Sequence, residues 1–441
     1  MGSFQEAIWA GDPSGLTKRE RKGGAYRSYV PDLLADADLP LFEDAVFASA
    51  RAQQAIASLE DEARILTNTE GIARLLLRAE ALASSQIEGL VIGARRLLKV
   101  ESAAGEGWAH DERAAEIIGN IRSMEKAIAL AEEVRLIDVA TMQMMHRELM
   151  AGTRLEGAGG EIRQEQNWIG ASGGSPLAAQ YVPPAPEHVP ALLEDLCAYA
   201  NREDVSPVVQ AALVHAQFES IHPFIDGNGR TGRALIHLIL KRRGACARYV
   251  PPISLVLATH AESYAAHLNA LRTDDEPALV RAMSDWVEFF SMACAQAVRA
   301  SHIYERRASE LIGVWRKLAG TVRAGTLPER LLELLPGMPI FTAKQAAAAA
   351  GCGYEAIYPV LKRFCERGIL KQVSAGKRNR VYEACGAIEI FNVLERGLAS
   401  AVGDTLREKP SRPVPFRTDG TSVADAVLGS SGDIPPCDDA R

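Results

Sequence analysis

Residues 222–233, His-Pro-Phe-Ile-Asp-Gly-Asn-Gly-Arg-Thr-Gly-Arg, are the feature that most restricts how this chain folds. Pro223 and Gly227 break a preceding helix. Asn228 is a favourable N-cap for a second helix, which we expect over residues 229–243. The segment is therefore predicted to be a short loop between two helices.

The start of this second helix has the chemistry of an anion site. Its first backbone N–H groups, from Gly227 to Arg230, have no helical partners, and the glycines let a phosphate approach them closely. Arg230 and Arg233 are three residues apart and share a helical face, where their guanidinium groups can bind further phosphate oxygens. This arrangement favours a polyphosphate over a single phosphate.

Two further side chains add reactivity to the loop. Asp226 is a hard oxygen ligand of the kind that a Mg²⁺ ion bridging phosphates needs. The neutral imidazole of His222 can accept a proton from a hydroxyl that attacks phosphorus. Phosphoryl-type or nucleotidyl transfer depends mainly on positioning and charge neutralisation, so the segment predicts that class of chemistry.

Other interpretations of the same segment are weaker. Gly227–Gly232 has the spacing G-x-G-x-x-G, but a dinucleotide-binding fold requires a preceding strand, whereas residues 207–221 indicate an amphipathic helix. A purely structural helix–loop–helix, in which His222 only packs, leaves the carboxylate and the two arginines without a role. His146 and His215 lie on apolar faces and are predicted to be core histidines.

Residues 222–233 match the signature H-P-F-x-[D/E]-G-N-G-R-x-x-R without a departure, and the chain thereby resembles the Fic family. The resemblance extends to both sides and covers about residues 29–300. Arg163, 166–170 and 181–184 are similar to the family's flap, and Tyr29 to about Gly89 resembles its accompanying N-terminal region. It implies transfer of AMP from ATP to a Ser, Thr or Tyr hydroxyl of a target protein or of the enzyme itself, with pyrophosphate leaving. Some relatives also carry a C-terminal winged helix.

The resemblance implies a role for each motif residue. His222 would be the general base, and Asp226 would bind Mg²⁺ as the cofactor. Ile169 in the flap would align the main chain of the target by strand addition. Tyr264, outside the motif, either walls the adenine or packs in the core. The expected ATP-binding residues are Glu88, Gly227, Asn228, Gly229, Arg230, Thr231, Gly232, Arg233 and Tyr264.

The run Ser-Ser-Gln-Ile-Glu-Gly at residues 84–89 is similar to the family's inhibitory motif, [S/T]-x-x-x-E-[G/N]. Ser84 and Glu88 are four residues apart and would share one helix face, and Gly89 permits close packing or helix termination. By resemblance, Glu88 would pair with Arg233, so that ATP binds in a non-productive pose. The alternative is an exposed glutamate on a solvated helix.

Composition excludes several other classes of protein. The chain of 441 residues has a net charge of −7 and a pI near 5.8, which argues against a histone-like polyanion binder. Its seven cysteines are scattered without a C-x-x-C pair, so neither a disulfide scaffold nor a zinc ribbon is indicated. Without a signal-peptide pattern or a membrane-length apolar stretch, we expect a soluble, cytoplasmic protein with no membrane partner.

The predicted fold class is mainly α: a Fic-type helical core with a small β-hairpin flap, followed by a winged helix-turn-helix domain. Periodicity and glycine or proline content suggest the boundaries. They are an N-terminal arm at 1–28, a helical N-terminal region with the inhibitory helix at 29–135, the Fic catalytic core at 136–300, a linker helix at 301–335, the winged helix at 336–400 and a disordered tail at 401–441.

The C-terminal unit is locally basic in an acidic protein, with eight basic against three acidic side chains between 341 and 385. Its predicted wing carries Lys377, Arg378 and Arg380, which can contact DNA phosphates. The alternative is protein contact or dimerisation through the same fold. The candidate partners are therefore ATP, a hydroxyl-bearing target protein, DNA and a second copy of the chain. Alternative functions are a nucleotide-sensing transcriptional regulator and an enzyme that also removes AMP.

Overall fold

The computed structural model of the chain describes residues 2–15, 18, 20–63, 69–102, 112–170, 174–246, 251–373 and 380–397. Within these ranges α-helices predominate, and the strands form two small antiparallel sheets. The predicted, mainly α-helical class is therefore confirmed. No helix in the described ranges is both long and apolar enough to cross a membrane. The tail at 401–441, predicted to be disordered, lies outside the described residues.

The helices and strands follow one another along the chain as β1 Ser3–Trp9, β2 Gly24–Val30, α1 Glu43–Ala63, α2 Thr69–Ile87, α3 Ala94–Ser102, α4 Glu112–Glu133, α5 Val139–Met150, α6 Val189–Ala200, α7 Pro207–Ile221, α8 Asn228–Arg242, α9 Ile253–Thr259, α10 Ala261–Ala270, α11 Glu276–Ala319, α12 Leu327–Leu334, β3 Ile340–Thr342, α13 Ala343–Ala349, α14 Tyr354–Glu366, β4 Leu370–Gln372, β5 Val381–Ala384 and α15 Ala387–Gly397. The chain divides into two compact units. The first comprises Met1–Gln54, Gly119–Cys246 and Ala261–Ala295, and the second comprises Ala55–Ile118, Ala247–His260 and Gln296–Arg441.

Helices α7 and α8 form the centre of the first unit. α7 packs against α6 and α8, and α8 also packs against α5. Every residue of α7 from Val208 onward is buried, as is every residue of α8 from Asn228 to Leu240. The sequence predicted an amphipathic α7, whereas tertiary packing covers this helix on all sides. A helix buried all round is the expected centre of a large helical core.

A β-hairpin also belongs to the first unit, mostly within residues 1–28, which the sequence analysis assigned to an N-terminal arm. β1 and β2 pair antiparallel over their full length. Tyr29 N–H donates to Val182 O at 3.0 Å, and the Trp9 ring meets the Trp168 ring edge-on with centroids 5.5 Å apart. Val182 and Trp168 lie more than 150 residues from their partners Tyr29 and Trp9, so local sequence patterns did not predict these contacts of the hairpin.

In the second unit α2 packs against α9. The fully buried carboxylate of Glu80 accepts hydrogen bonds from the N–H of Ser254 at 2.7 Å and from its Oγ at 2.5 Å. Because Ser254 lies at the start of α9, the carboxylate satisfies groups that the helix itself leaves without partners. This contact connects the C-terminal half of α2, which leads into residues 84–89, to α9.

The C-terminal part of the second unit contains the predicted succession of two helices and two strands, together with β3 before it and α15 after it, which the sequence did not predict. Helices were expected at 343–350 and 354–367, and α13 and α14 end within one residue of these limits. The strands form a three-stranded antiparallel sheet in the order β3–β5–β4. Residues 374–379, with the predicted wing residues Lys377 and Arg378, lie outside the described residues.

Candidate active site

His222 ends α7 in a left-handed backbone conformation, with φ 52° and ψ 59°. Among the described residues it is the one non-glycine residue with positive φ. Such a conformation costs about 1–2 kcal/mol and persists where the surroundings enforce it. The turn ends the helix abruptly and presents the imidazole at the start of the loop.

Two residues of the segment that resembles the flap, Arg163 and Asn167, hold this turn in place. Arg163 Nε donates to His222 O at 2.8 Å, and Arg163 N–H donates to Pro223 O at 2.9 Å. Asn167 Nδ2 donates to Phe224 O at 3.0 Å. Burial lowers the pKa of Arg163 to about 10, which leaves it charged at neutral pH. A charged donor therefore fixes the backbone from which His222 projects.

Asn228 closes the loop from the other end. Its Oδ1 accepts from Phe224 N–H and its Nδ2 donates to Phe224 O, both at 2.8 Å. The predicted N-cap role of Asn228 is wrong, because Gly227 is the N-cap and Asn228 is the first residue of α8. The amide side chain pairs with the loop backbone instead of capping the helix.

His146 of α5 supports the loop from within the core. Its Nε2 lies 3.0 Å from Asp226 O and its Nδ1 lies 2.9 Å from Gly160 N–H. Since a carbonyl can only accept and an N–H can only donate, the ring is the neutral Nε2–H tautomer with both nitrogens satisfied. Burial lowers the pKa of His146 to about 4. The prediction of a core histidine is confirmed.

Gly227 occupies a position that no other residue fits. Its φ is 74°, and a Cβ there would lie 2.4 Å from Met150 Cε and 2.8 Å from Leu149 Cδ2. Both the left-handed backbone and the close packing on α5 require glycine. The loop is therefore pressed tightly against the helix that carries His146.

The sequence predicted an anion site at the N-terminus of α8, and a helix does begin there. The first hydrogen bond inside the helix runs from Thr231 N–H to Gly227 O at 3.0 Å. The N–H groups of the residues before Thr231 have no partner within the helix, at the positive end of its dipole. The motif residues in the first two turns are all buried: Asn228, Gly229, Arg230, Thr231, Gly232 and Arg233.

The charged side chains of the motif differ in exposure. Arg230 Nη2 lies 3.6 Å from Asp226 Oδ2. The arginine side chain is 4% exposed, whereas the aspartate side chain is 53% exposed. Arg233, one turn further along α8, is 1% exposed. The described residues hold no cluster of three metal-ligating side chains. One exposed carboxylate beside an anion site nevertheless suits Mg²⁺, which binds through one or two carboxylates plus phosphate oxygens.

Tyr264 lies in the core of the first unit. Its hydroxyl is 2.7 Å from His215 Nε2, and its ring centroid is 6.0 Å from that of Trp286. Burial lowers the pKa of His215 to about 3, so this imidazole is neutral, and the prediction of a second core histidine is confirmed. The contacts of Tyr264 correspond to the core-packing alternative to an adenine wall.

The flap is a short antiparallel bridge. Ile169 N–H donates to Tyr181 O at 2.8 Å, and Gln180 N–H donates to Ile169 O at 2.9 Å. Ile169 is partly exposed, and residues 171–173 lie outside the described residues. The two predicted arms of the flap therefore pair at Ile169 and Tyr181, and the residue at this pairing, Ile169, is partly accessible to solvent.

The segment 84–89 belongs to the second unit and ends α2. Leu90 N–H donates to Ser85 O at 3.0 Å and Gly89 N–H donates to Gln86 O at 2.9 Å, with Gly89 at φ 80°. This is a Schellman ending, which explains the glycine. Ser84 is buried and Glu88 is exposed. α2 ends at Ile87, so Ser84 lies inside the helix and Glu88 directly follows its last residue.

Sequence reasoning missed Glu219. Its Oε2 lies 3.9 Å from His222 Nδ1, and it is 6% exposed. The separation of three residues, close to one helical turn, was the available signal. The hydrogen bonds of Arg163 to His222 and Pro223 could not be predicted from local patterns either, because these residues are about 60 positions apart in the chain.

Two family models match the chain: the Fic/DOC family over residues 136–240, and the Fic/DOC family N-terminal over residues 46–129. The second match includes the segment 84–89, and the first includes the loop between α7 and α8. The resemblance predicted from residues 222–233 is confirmed.

The chain is 34% identical over 140 residues to protein adenylyltransferase fic-1 of Caenorhabditis briggsae, which covers 31% of this chain and 25% of the relative. It is 30% identical over 198 residues to protein adenylyltransferase Fic of Drosophila erecta, covering 44% and 36%. The chain thus spans about a quarter to a third of the length of these curated relatives. A crystal structure of a Fic family protein from Desulfovibrio desulfuricans G20 aligns with a TM-score of 0.47 and 19% identity, covering 79% of this chain and 97% of that one.

Proposed function

We propose that this chain is a protein adenylyltransferase. Its residues 136–240 match the Fic/DOC family, and its residues 46–129 match the N-terminal region of that family. It would transfer AMP from ATP to a Ser, Thr or Tyr hydroxyl of a target protein or of itself. One observation carries the proposal: a left-handed turn at His222 ends α7 and puts this histidine at the start of the short loop that leads into the N-terminus of α8. The proposed proton acceptor and the proposed anion site thereby lie at the two ends of one short loop.

The triphosphate would bind at this N-terminus. The backbone from Gly227 to Gly229 and the side chain of Asn228 would hold the α- and β-phosphates, and Arg230 and Arg233 the outer phosphates. Burial of both arginines supports this role, because desolvated guanidinium groups bind phosphate strongly. Asp226 would hold Mg²⁺, which neutralises phosphate charge when bound.

In the chemical step, the target hydroxyl attacks the α-phosphorus. Its O–H bond breaks and the proton moves to Nε2 of His222 as the new O–P bond forms. The bond to the β-phosphate oxygen breaks, and pyrophosphate leaves. The N–H groups at the start of α8 stabilise negative charge on the phosphates, where preorganised donors act most strongly.

The flap would orient the target. Ile169 is partly exposed beside the loop that Arg163 and Asn167 fix. An extended segment of the target pairing with this backbone would place its hydroxyl by main-chain hydrogen bonds, which require little side-chain specificity.

Glu88 would restrain the activity. The segment 84–89 has the family's inhibitory pattern, and the Schellman ending of α2 leaves the Glu88 side chain exposed. A carboxylate that pairs with Arg233 would compete with the outer phosphate for that guanidinium. ATP would then bind in a non-productive pose.

Labelled ATP and mass spectrometry test the activity. The wild-type chain and Glu88→Gly are incubated with Mg²⁺, ATP, UTP, GTP or CDP-choline in separate reactions, with a lysate as the source of targets. We expect the mass of AMP on the protein or on lysate proteins, and its absence with His222→Ala. His188→Ala, which changes a histidine outside the loop, is the matched control. No nucleotide added by Glu88→Gly, or equal labelling by His222→Ala, contradicts the proposal.

A further inference from the structure

Glu219 and His222 form a pair at the end of α7. The carboxylate is 6% exposed, and its Oε2 lies 3.9 Å from Nδ1 of the imidazole. This distance is longer than a hydrogen bond, so the attraction in the resting protein is electrostatic. Contacts of catalytic groups are often loose in resting structures and shorten when substrate binds.

The other oxygen of the Glu219 carboxylate lies close to the backbone of α8. A Cβ at position 232 would lie 2.9 Å from Glu219 Oε1 and 3.1 Å from His215 Nδ1. Because Gly232 has no side chain, it leaves room for the Glu219 carboxylate between the α8 backbone and the imidazole of His222. The phosphates alone give no reason for glycine at this position.

Other charged groups surround the pair. Burial lowers the pKa of Arg272, and the nearby Tyr181 and Glu219 oppose this shift. The carboxylate thus has a cationic neighbour as well as the imidazole. His215, the next histidine on α7, is held neutral by burial. Arg163 donates to His222 O, Arg272 and Tyr181 interact electrostatically with Glu219, and His215 Nδ1 faces the same position 232 as the carboxylate. The charged residues on the neighbouring segments are Arg230 and Arg233 of α8 and Asp226 of the loop between α7 and α8.

We propose that Glu219 is a positioning residue that keeps a proton on Nδ1 of His222 and so leaves Nε2 as the proton acceptor. The catalytic consequence rests on the proposed function. When the target hydroxyl loses its proton to Nε2, the neutral ring becomes an imidazolium, and the buried carboxylate stabilises the new positive charge. Without the carboxylate, the ring can place its proton on either nitrogen, and one tautomer cannot act as the base.

The titration of His222 tests the proposal without reference to activity. Histidine-labelled protein is titrated by NMR, and the His222 signal is identified by its loss in His222→Ala. We expect Glu219→Gln to move the midpoint of this titration to lower pH by about one unit, because a neighbouring negative charge favours imidazolium. Glu194→Gln, which removes an exposed carboxylate from α6, should leave it unchanged. Coinciding midpoints for wild type and Glu219→Gln overturn the proposal.

Two further variants keep the test independent of folding. Glu219→Asp retains the charge, so its midpoint should lie between those of wild type and Glu219→Gln; a midpoint equal to that of the glutamine variant contradicts a role of charge. Gly232→Ala should displace the carboxylate and also lower the midpoint, whereas an unchanged midpoint contradicts the placement of Glu219.

The rate test separates the two proposals. Glu219→Gln should reduce kcat for AMP transfer by about 10²-fold with little change in KM for ATP, since a misplaced base affects the chemical step. An unchanged kcat overturns the positioning role. If wild type and Glu88→Gly transfer no nucleotide, the proposed function fails, while the midpoint shift still decides whether Glu219 controls His222.

Discussion

The imidazole of His146 lies flat against the phenyl ring of Phe224, with ring centroids 3.8 Å apart and planes 4° from parallel. The same imidazole donates to Asp226 O, two residues further along the loop. One side chain of α5 therefore fixes both the apolar anchor of the loop and the backbone of the proposed metal ligand. Several consequences of this contact can be measured.

Replacing Phe224 by leucine should lower the free energy of unfolding by about 1–3 kcal/mol, because a fully buried ring and its stacking contact are lost. Urea unfolding followed by circular dichroism measures the change. The neighbouring Ile225, which is 48% exposed, provides the control, and Ile225→Ala should stay within about 0.5 kcal/mol of wild type. Equal stability of the two variants would show that the ring does not anchor the loop.

Gly227→Ala and Gly244→Ala separate backbone strain from steric conflict. Both glycines have positive φ, 74° and 69°, but a Cβ at Gly244 meets nothing within 4 Å. We expect Gly244→Ala to cost about 1–2 kcal/mol and Gly227→Ala about 3 kcal/mol or more, because only the second presses on Met150. Thermal unfolding of both variants tests this order, and a similar cost at both positions rules out the steric contribution.

Burial of neutral His146 should make stability depend on pH. An unfolded histidine has a pKa of 6.5, and the folded pKa is about 4. Between these values the unfolded chain binds more protons, so the free energy of unfolding falls as the pH falls, by roughly 3 kcal/mol for this group. His215, with a folded pKa of about 3, acts in the same direction.

Unfolding measured in urea from pH 7 to pH 4.5 tests the contribution of His146. In His146→Gln the slope of the free energy of unfolding against pH should be shallower by up to about one bound proton. A slope identical to that of wild type would mean that His146 is not buried in its neutral form.

If Glu88 restrains the activity as proposed, Glu88→Gly should increase AMP transfer, because the carboxylate that would compete with the outer phosphate is removed. The substitution is mild for the backbone, since Glu88 lies in the turn after α2 and not inside the helix. Glu203→Gly, at another exposed turn, is the control and should leave the rate unchanged. An unchanged or lower rate in Glu88→Gly, measured with labelled ATP, refutes autoinhibition.

Local patterns predicted the helices of this protein well. α7 occupies the predicted range 207–221, and α8 begins and ends within one residue of 229–243. Pro223 and Gly227 mark where a helix cannot continue, and such signals depend only on neighbouring residues. The His222–Arg233 motif was found in the same way, because its reactive groups are close together in the chain.

Long-range contacts escaped the sequence analysis. The hairpin of β1 and β2 depends on partners such as Val182 and Trp168. The sequence predicted Asn228 as an N-cap. Its side-chain amide instead makes two hydrogen bonds with the backbone of Phe224, four residues earlier, in a loop conformation that the local pattern did not predict. Each outcome depended on what the folded chain placed next to a side chain.

By itself, the sequence determined which chemical groups are available and which segments form helices, because both follow from residue type and short spacing. Only the tertiary structure decided the left-handed turn at His222, the neutral form of His146 and the burial of Glu219. The physical reason is that backbone strain, burial and the placement of charges are set by residues far apart in the chain. Their proximity exists only once the helices have packed.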